Sequence, residues 1–305
     1  MKTKYIFAVS SALFLTLFNS CKEDQSIHPT GSTITIEGSN TEYELVSALA
    51  SEFQKSGDGR TEISVLGGGS NDGMNKFLEG KIDILNSSRL INDEEISTAI
   101  GNGIAATQAI IAMDAVAIIT NPKLGIDSLS LGDLRAIFSG KLTNWKEFGG
   151  IDLPIHIYNR DESSGTYSYI RRKMVGESQL ASYKEVSSPA QLLEYVKRDL
   201  GGIAYIGVGS LFDEGGRPDG SIWAMNLYID EGKAFSPYEL VAVKSGDYPL
   251  TRPLLQYFKQ FPEGEILEFL KFSLSDKGQE IVRKSGYFAV TDFQKQINKE
   301  NGIVF

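Results

Sequence analysis

Three short stretches of this chain carry residue types that can hold an anion without lysine. They are Gly38-Ser39-Asn40-Thr41, Gly67-Gly68-Gly69-Ser70-Asn71-Asp72-Gly73 and Arg160-Asp161-Glu162-Ser163-Ser164-Gly165-Thr166. Each follows an expected strand and opens an expected helix. The first turn of a helix has N–H groups with no partner inside the helix, and it carries a partial positive charge. Glycine lets the main chain approach a ligand closely, and Ser and Thr hydroxyls are donors that rotate to fit. Arg160 adds a planar fork matched to two oxygens of a tetrahedral ion. Taken singly, each stretch is also an ordinary cap or turn. Three of them aimed at one point would cage a small oxyanion.

Other chemistries fit these residues less well. No G-x-x-x-x-G-K-[ST] occurs, and no G-x-G-x-x-G opens the first helix, so the nucleotide fingerprints are missing. A hydrolase using Ser70 or Ser164 as nucleophile would need a base. The two histidines are His28, near the N-terminus, and His156, in an expected strand, and no G-x-S-x-G elbow is present. Two histidines and one cysteine cannot build a His- or Cys-rich metal site, and no cofactor or catalytic residue is expected.

The elements that must position these stretches alternate between strand and helix. Residues 32–37 alternate with Ile34 and Ile36 on one face, and Leu45, Val46, Leu49, Ala50 and Phe53 recur at helical spacing over residues 41–54. Strands are expected at 62–66, 82–85, 114–120, 154–158 and 203–206, with helices at 71–78 and 164–174. Ser188-Pro189 opens a further helix as N-cap and first-turn proline. The last third has helical runs around 252–260, 265–273 and 276–284. This order predicts an α/β fold with largely parallel sheets.

Composition narrows the class. The chain has 305 residues, 41% hydrophobic and 23% charged, enough for one large domain or two modest lobes and too apolar for disorder. A net charge of −9 argues against a general nucleic-acid binder. Residues 1–20 carry Lys2 and Lys4, no acid, and an apolar run too short to span a membrane comfortably, the layout of an export signal. Cys21, the sole cysteine, stands directly behind it, where a bacterial lipoprotein signal places the residue to be acylated. Residues 22–31 are polar and read as a flexible tether. An exported body anchored by lipid at Cys21 to the cell membrane or facing the periplasm is expected.

Further pieces make the pattern specific. Arg160-(x)3-Ser164-Gly165-Thr166 and Gly68-Gly69-Ser70-(x)2-Gly73 are followed in weight by Gly80-Lys81-Ile82-Asp83-Ile84, Ser88-Arg89 and the run from Ile137 to Trp145. Gly202-Ile203-Ala204-Tyr205 and Gly278-Gln279-(x)6-Gly286-Tyr287 complete an ordered set from about residue 32 to about 290. Together they resemble the substrate-binding component of bacterial phosphate ABC transporters, the PstS family. The resemblance implies a type II periplasmic binding-protein fold, two α/β lobes joined by two crossing strands. The crossings would fall near 114–120 and 223–228, giving one lobe of 32–115 plus 225–305 and another of 116–224. It also implies a non-catalytic role: binding inorganic phosphate in the cleft and delivering it to the permease and ATPase subunits of an importer. The implied contacts are Thr41 with the backbone after it, Ser70, Arg160, Ser164, Gly165 and Thr166, with Ser39, Asn40, Ser88 and Arg89 also in the candidate set.

One departure from the family pattern concerns selectivity. Some members have an Asp after the second helix that accepts the proton of phosphate; here Ser88-Arg89 stands in that place. A fixed carboxylate rejects sulfate, which has no proton to give. Arg89 either adds a second positive fork or pairs with a carboxylate away from the ligand. Asp72, Asp114 and Glu162 are the candidates to accept the proton or to orient Arg160. The competing readings are the same fold tuned to sulfate, molybdate or tungstate, and a phosphate-sensing lipoprotein without transport.

Overall fold

The computed structural model describes residues 33–57, 61–176, 178–213 and 216–303. In Thr-Ile-Thr-Ile-Glu-Gly the two isoleucines are buried on one face of strand β1 (Thr33–Gly38). Helix α1 (Tyr43–Ser56) then buries Leu45, Val46, Leu49 and Ala50 along one stripe. Next come β2 (Glu62–Gly68), α2 (Ser70–Leu78), β3 (Ile84–Ser87), α3 (Asp93–Gly101), a long β4 (Thr107–Thr120), β5 (Ser128–Ser130) and α4 (Leu131–Phe138). The middle of the chain supplies β6 (His156–Arg160), α5 (Gly165–Met174), β7 (Lys184–Val186), α6 (Pro189–Arg198), β8 (Gly202–Gly207), β9 (Trp223–Ala224) and β10 (Asn226–Tyr228). The last part is α7 (Leu240–Ser245), β11 (Thr251–Phe258), α8 (Gly264–Leu274), α9 (Asp276–Lys284) and α10 (Asp292–Glu300).

Nine strands form one sheet in the order β2-β1-β3-β11-β4-β8-β6-β7, with β9 also on β4. The flanks are parallel, β2 and β3 on β1 and β7 and β8 on β6. The centre is antiparallel, because β11 inserts between β3 and β4 and β8 runs against β4. The sheet is therefore mixed rather than largely parallel. Strand β4 joins its two sides: residues 107–115 pair with β11 and residues 116–120 with β8. Strand β10 pairs with β5 in a small separate sheet, so the chain stays tied to the 116–224 stretch through Tyr228 and rejoins the first side at β11.

The expected helix at 252–260 is strand β11. An apolar run such as Leu254-Leu255-Gln256-Tyr257-Phe258 has no clear period, and all five residues are buried because layers cover both faces. Leu254 and Phe258 pack into the core shared with α1 and α8, and Leu255 and Tyr257 into a second core under α2. Pro253 sits in this inner strand opposite Met113. A proline brings no N–H to a ladder. Here Met113 sends both its N–H and its C=O to Phe288 instead, so no main-chain bond is forfeited.

Candidate functional site

The N-termini of α1, α2 and α5 meet at the C-terminal ends of β1, β2 and β6. Gly38 holds the first two together, its carbonyl accepting the Gly69 N–H at 2.8 Å. The third closes on the second: Asn71 N–H donates to the Ser163 carbonyl at 2.9 Å, and Asn71 Nδ2 donates to the Glu162 carbonyl at 2.6 Å and to Ser168 Oγ at 3.0 Å. Two glycines permit this approach. Gly69 has φ +106°, and a Cβ there would collide with the Ser163 carbonyl; a Cβ on Gly165 would collide with Ser70 Oγ and crowd Ser88 Oγ. Ser164 caps α5, its Oγ accepting the Tyr167 N–H at 3.2 Å. Within the junction, Thr41 Oγ1 lies 3.1 Å from Thr166 Oγ1, and Ser70 Oγ lies 3.3 Å from Ser88 Oγ.

The electrostatics favour an anion. Arg160 is only 3% exposed, yet its Nε and Nη2 are buried without a hydrogen-bond partner among the described residues; the buried Ser39 hydroxyl has the Glu42 carboxyl as its neighbour. Its nearest acid, Asp161, lies 3.9 Å from Nη2, too far for a good hydrogen bond. Burial pulls the guanidinium below its ordinary pKa, against the opposing pull of Asp161. Leaving a charged donor buried and unpaired is costly, and native proteins seldom do so without a ligand or water to meet it.

A second buried guanidinium stands behind the first turn of α1. Arg252 and Asp114 face each other in the β11–β4 ladder, and Arg252 Nε and Nη2 donate to Asp114 Oδ2 at 2.9 and 2.8 Å. Nη1 donates to the Ser88 carbonyl at 3.1 Å, and Nη2 also reaches Thr166 Oγ1 at 3.1 Å and Thr41 Oγ1 at 3.4 Å. Asp114 Oδ1 accepts the Val208 N–H at 3.0 Å. Glu42, fully buried beside this pair, is pushed well above the usual carboxylate range by desolvation, with Arg252 pulling the other way. Asp114 is raised for the same reason, opposed by Arg252 and by main-chain N–H groups.

The profile of the PBP superfamily domain matches residues 24–277. The chain belongs to the PBP superfamily. Among its relatives, the phosphate-binding protein PstS of Bacillus subtilis (strain 168) is 29% identical over 309 residues, covering 96% of each chain. The protein SphX of Synechococcus elongatus is 29% identical over 264 residues, 83% of this chain and 76% of its own. A crystal structure from Clostridium perfringens, described as a phosphate ABC transporter substrate-binding protein with bound phosphate, superposes with a TM-score of 0.74 at 26% identity. It covers 85% of this chain and 100% of its own. The two-lobed α/β architecture is thus that of the PBP superfamily, with β4 carrying the passage from one side of the sheet to the other.

In this PBP-superfamily chain the expected site residues divide. Ser39, Thr41, Ser70, Ser88, Arg160, Ser164, Gly165 and Thr166 are buried at the junction. Asn40 is there too, but its Oδ1 is occupied by the Gly68 N–H at 2.9 Å, so the side chain braces the loops. Arg89 is a correction. Its guanidinium is committed to protein partners, pairing with both carboxylate oxygens of Glu95 at 2.8 and 2.6 Å, while Nε donates to Asn71 Oδ1. Glu95 lies six residues on, in the first turn of α3, where it also closes a capping box with Asn92. Asp72 and Glu162 are exposed, and Asp114 is bound to Arg252 rather than to Arg160. His156 is half-exposed and bonded to Asp199 at 2.8 Å, so it offers no base to Ser70 or Ser164. No group of three His, Cys, Asp or Glu among the described residues is set to hold a metal. Cys21 and His28 lie outside the described residues.

Arg252 and Glu42 were missed by the sequence reading. A usable signal was present: Arg252 and Asp114 are single charges inside apolar runs, and a lone charge in a buried strand needs a partner of opposite sign. Misreading β11 as a helix hid that pairing.

Proposed function

We propose that this protein is an extracytoplasmic receptor for inorganic phosphate that hands its ligand to the membrane permease of an ABC importer, without chemical turnover. The observation that carries the reading is the junction of three helix N-termini around the buried, unpaired donors of Arg160. Main-chain N–H groups, neutral hydroxyls and one guanidinium suit a small tetrahedral oxyanion. The relatives from Bacillus subtilis and Clostridium perfringens, a phosphate-binding protein and a substrate-binding protein with bound phosphate, support phosphate as that ion. The proposed contacts are Ser39, Thr41, Ser70, Ser88, Arg160, Ser164, Gly165 and Thr166. The first and second loops sit on a lobe of about 32–115 plus the C-terminal part of the chain, and the third on a lobe of about 116–224, so the ion bridges both and favours closure.

Export and acylation at Cys21 would tether this body to a membrane through residues 22–31, a reading supported by the charge and hydropathy layout of residues 1–20. Among the described residues no helix is long and apolar enough to cross a membrane. A second reading, sulfate, is favoured by one observation: Ser88-Arg89 stands where some relatives carry the carboxylate acceptor that would enforce rejection, and the Arg89 guanidinium there is taken by Glu95. Calorimetric titration with phosphate and sulfate in competition decides between them. Tight phosphate binding that survives equimolar sulfate is expected; displacement by equimolar sulfate would overturn the phosphate assignment.

A further inference from the structure

We infer that Arg252, held by Asp114, is a positioning residue of the anion site: it fixes Thr41 and Thr166 as hydrogen-bond donors to the bound ion. The inference rests on the reading of the site as an oxyanion receptor and adds a determinant of which ion it prefers. Arg252 is 2% exposed and Asp114 0%, so neither is a surface charge. The two face each other at the centre of the sheet, where β4 passes from one side to the other. Three of the guanidinium's connections are therefore rigid: Asp114 on β4, its own strand β11, and the carbonyl of Ser88 after β3. One N–H of Nη2 is used by Asp114. The other points between Thr41 Oγ1 and Thr166 Oγ1 at 3.4 and 3.1 Å.

A hydroxyl has one proton and two lone pairs. Left alone at 3.1 Å, the two threonine hydroxyls would bond each other, one as donor and one as acceptor. A guanidinium has no lone pair to offer, so it can only donate. With Arg252 filling an acceptor position on the pair, each hydroxyl can turn its proton outward to the ion. Thr41 comes from the loop after β1 and Thr166 from the first turn of α5, so the arrangement forms only when those loops meet. The Asp114 carboxylate offsets the guanidinium charge, and Val208 N–H and Tyr169 complete the surroundings, the latter with its ring 5.5 Å from the guanidinium carbon. Arg252 thus shapes the donor pattern more than it adds net positive charge.

The consequence concerns proton-bearing and proton-free ions. A wall made only of donors suits sulfate as well as fully ionised phosphate oxygens. If the two threonines bond each other instead, the site gains an acceptor at that wall, which a phosphate O–H can use and sulfate cannot.

The test is calorimetry on the full chain in detergent, titrated separately with inorganic phosphate and with sulfate. Removing Arg252 alone would leave Asp114 buried and unpaired, so the informative variant is the double D114N/R252M, which removes both charges. It is expected to fold, as judged by an unchanged circular dichroism spectrum and a cooperative unfolding transition. Its phosphate affinity should fall about tenfold, the worth of a lost charge-assisted contact, and its sulfate affinity should fall further. R252K keeps a cation beside Asp114 but lacks the fixed Nη2 N–H that points between both threonines, and it should lie between. A folded double variant that binds both ions as the wild type does would overturn the inference, as would R252K with wild-type affinities and ratio. An equal loss for both ions would reduce Arg252 to a purely structural role. Failure of the wild type to bind either ion would instead remove the receptor reading on which the inference stands.

Discussion

Two buried arginines lie close to the same junction, and they are satisfied in opposite ways. Arg160, at the end of β6, keeps Nε and Nη2 without partners among the described residues. Arg252, on β11, spends every nitrogen on the protein: Asp114, the Ser88 carbonyl and two threonine hydroxyls. Burial is nearly equal, 3% against 2%. The difference lies in the neighbours. A guanidinium with a counter-ion across the ladder is part of the frame; one whose nearest acid is too far to bond is the one we propose to meet the ion. Being buried and positive is therefore no guide to which cation meets an anion. The count of unmet donors is.

The comparison breaks first at Asp114. Asp114→Asn leaves Arg252 buried without its counter-charge and should cost about 3–5 kcal/mol of stability by urea unfolding; an unchanged midpoint would mean that Arg252 does not depend on its partner. Arg160→Ala removes Nε and Nη2, which bond nothing among the described residues. It should leave the urea midpoint close to that of the wild type while weakening phosphate binding about a hundredfold or more in calorimetry, the scale of two charge-assisted bonds. A large fall in stability with intact binding would reverse the assignment of the two arginines. Ser39→Ala sharpens the picture on a neutral donor. The expected loss of phosphate affinity is roughly three- to tenfold, and a wild-type isotherm would take Ser39 out of the site.

The smallest effect is one of pH. Desolvation holds the Glu42 carboxyl above its ordinary range, so the folded state keeps a proton that the unfolded chain releases. For an acid shifted this way the stabilising contribution is full below the unfolded pKa and declines as pH rises toward the raised folded value. Asp114, also raised, acts in the same sense. Glu42→Gln should therefore flatten the decline in stability between pH 5 and pH 8, measured by urea unfolding at each pH. Parallel curves for the two proteins would show that Glu42 titrates alike folded and unfolded.

Much of the site could be read from the chain because its signals are local. Glycine and small hydroxyl residues at a strand–helix junction report on the few residues around them, and all three such junctions converge. Arg160 came with its loop. What escaped depends on contacts distant in sequence. Arg252 and Asp114 are 138 positions apart, and their pairing follows only from β11 lying beside β4. Arg89 failed for the complementary reason: its place next to Ser88 says nothing about side-chain direction, and Glu95 in the capping box of α3 captured it. The central antiparallel strands were hidden in the same way, since an inner strand covered on both faces has no alternation to betray it.

The bare Cα atoms of Gly69 and Gly165 have one more consequence. At these two points the opposing walls touch so closely that a single methyl group could not be inserted. A sugar phosphate or other ester whose anionic end sat at this junction would find no room for its carbon chain across that seam. With the proposed ion at this junction, free mineral ion should therefore be told from its organic conjugates by bulk alone, before any question of charge or proton arises.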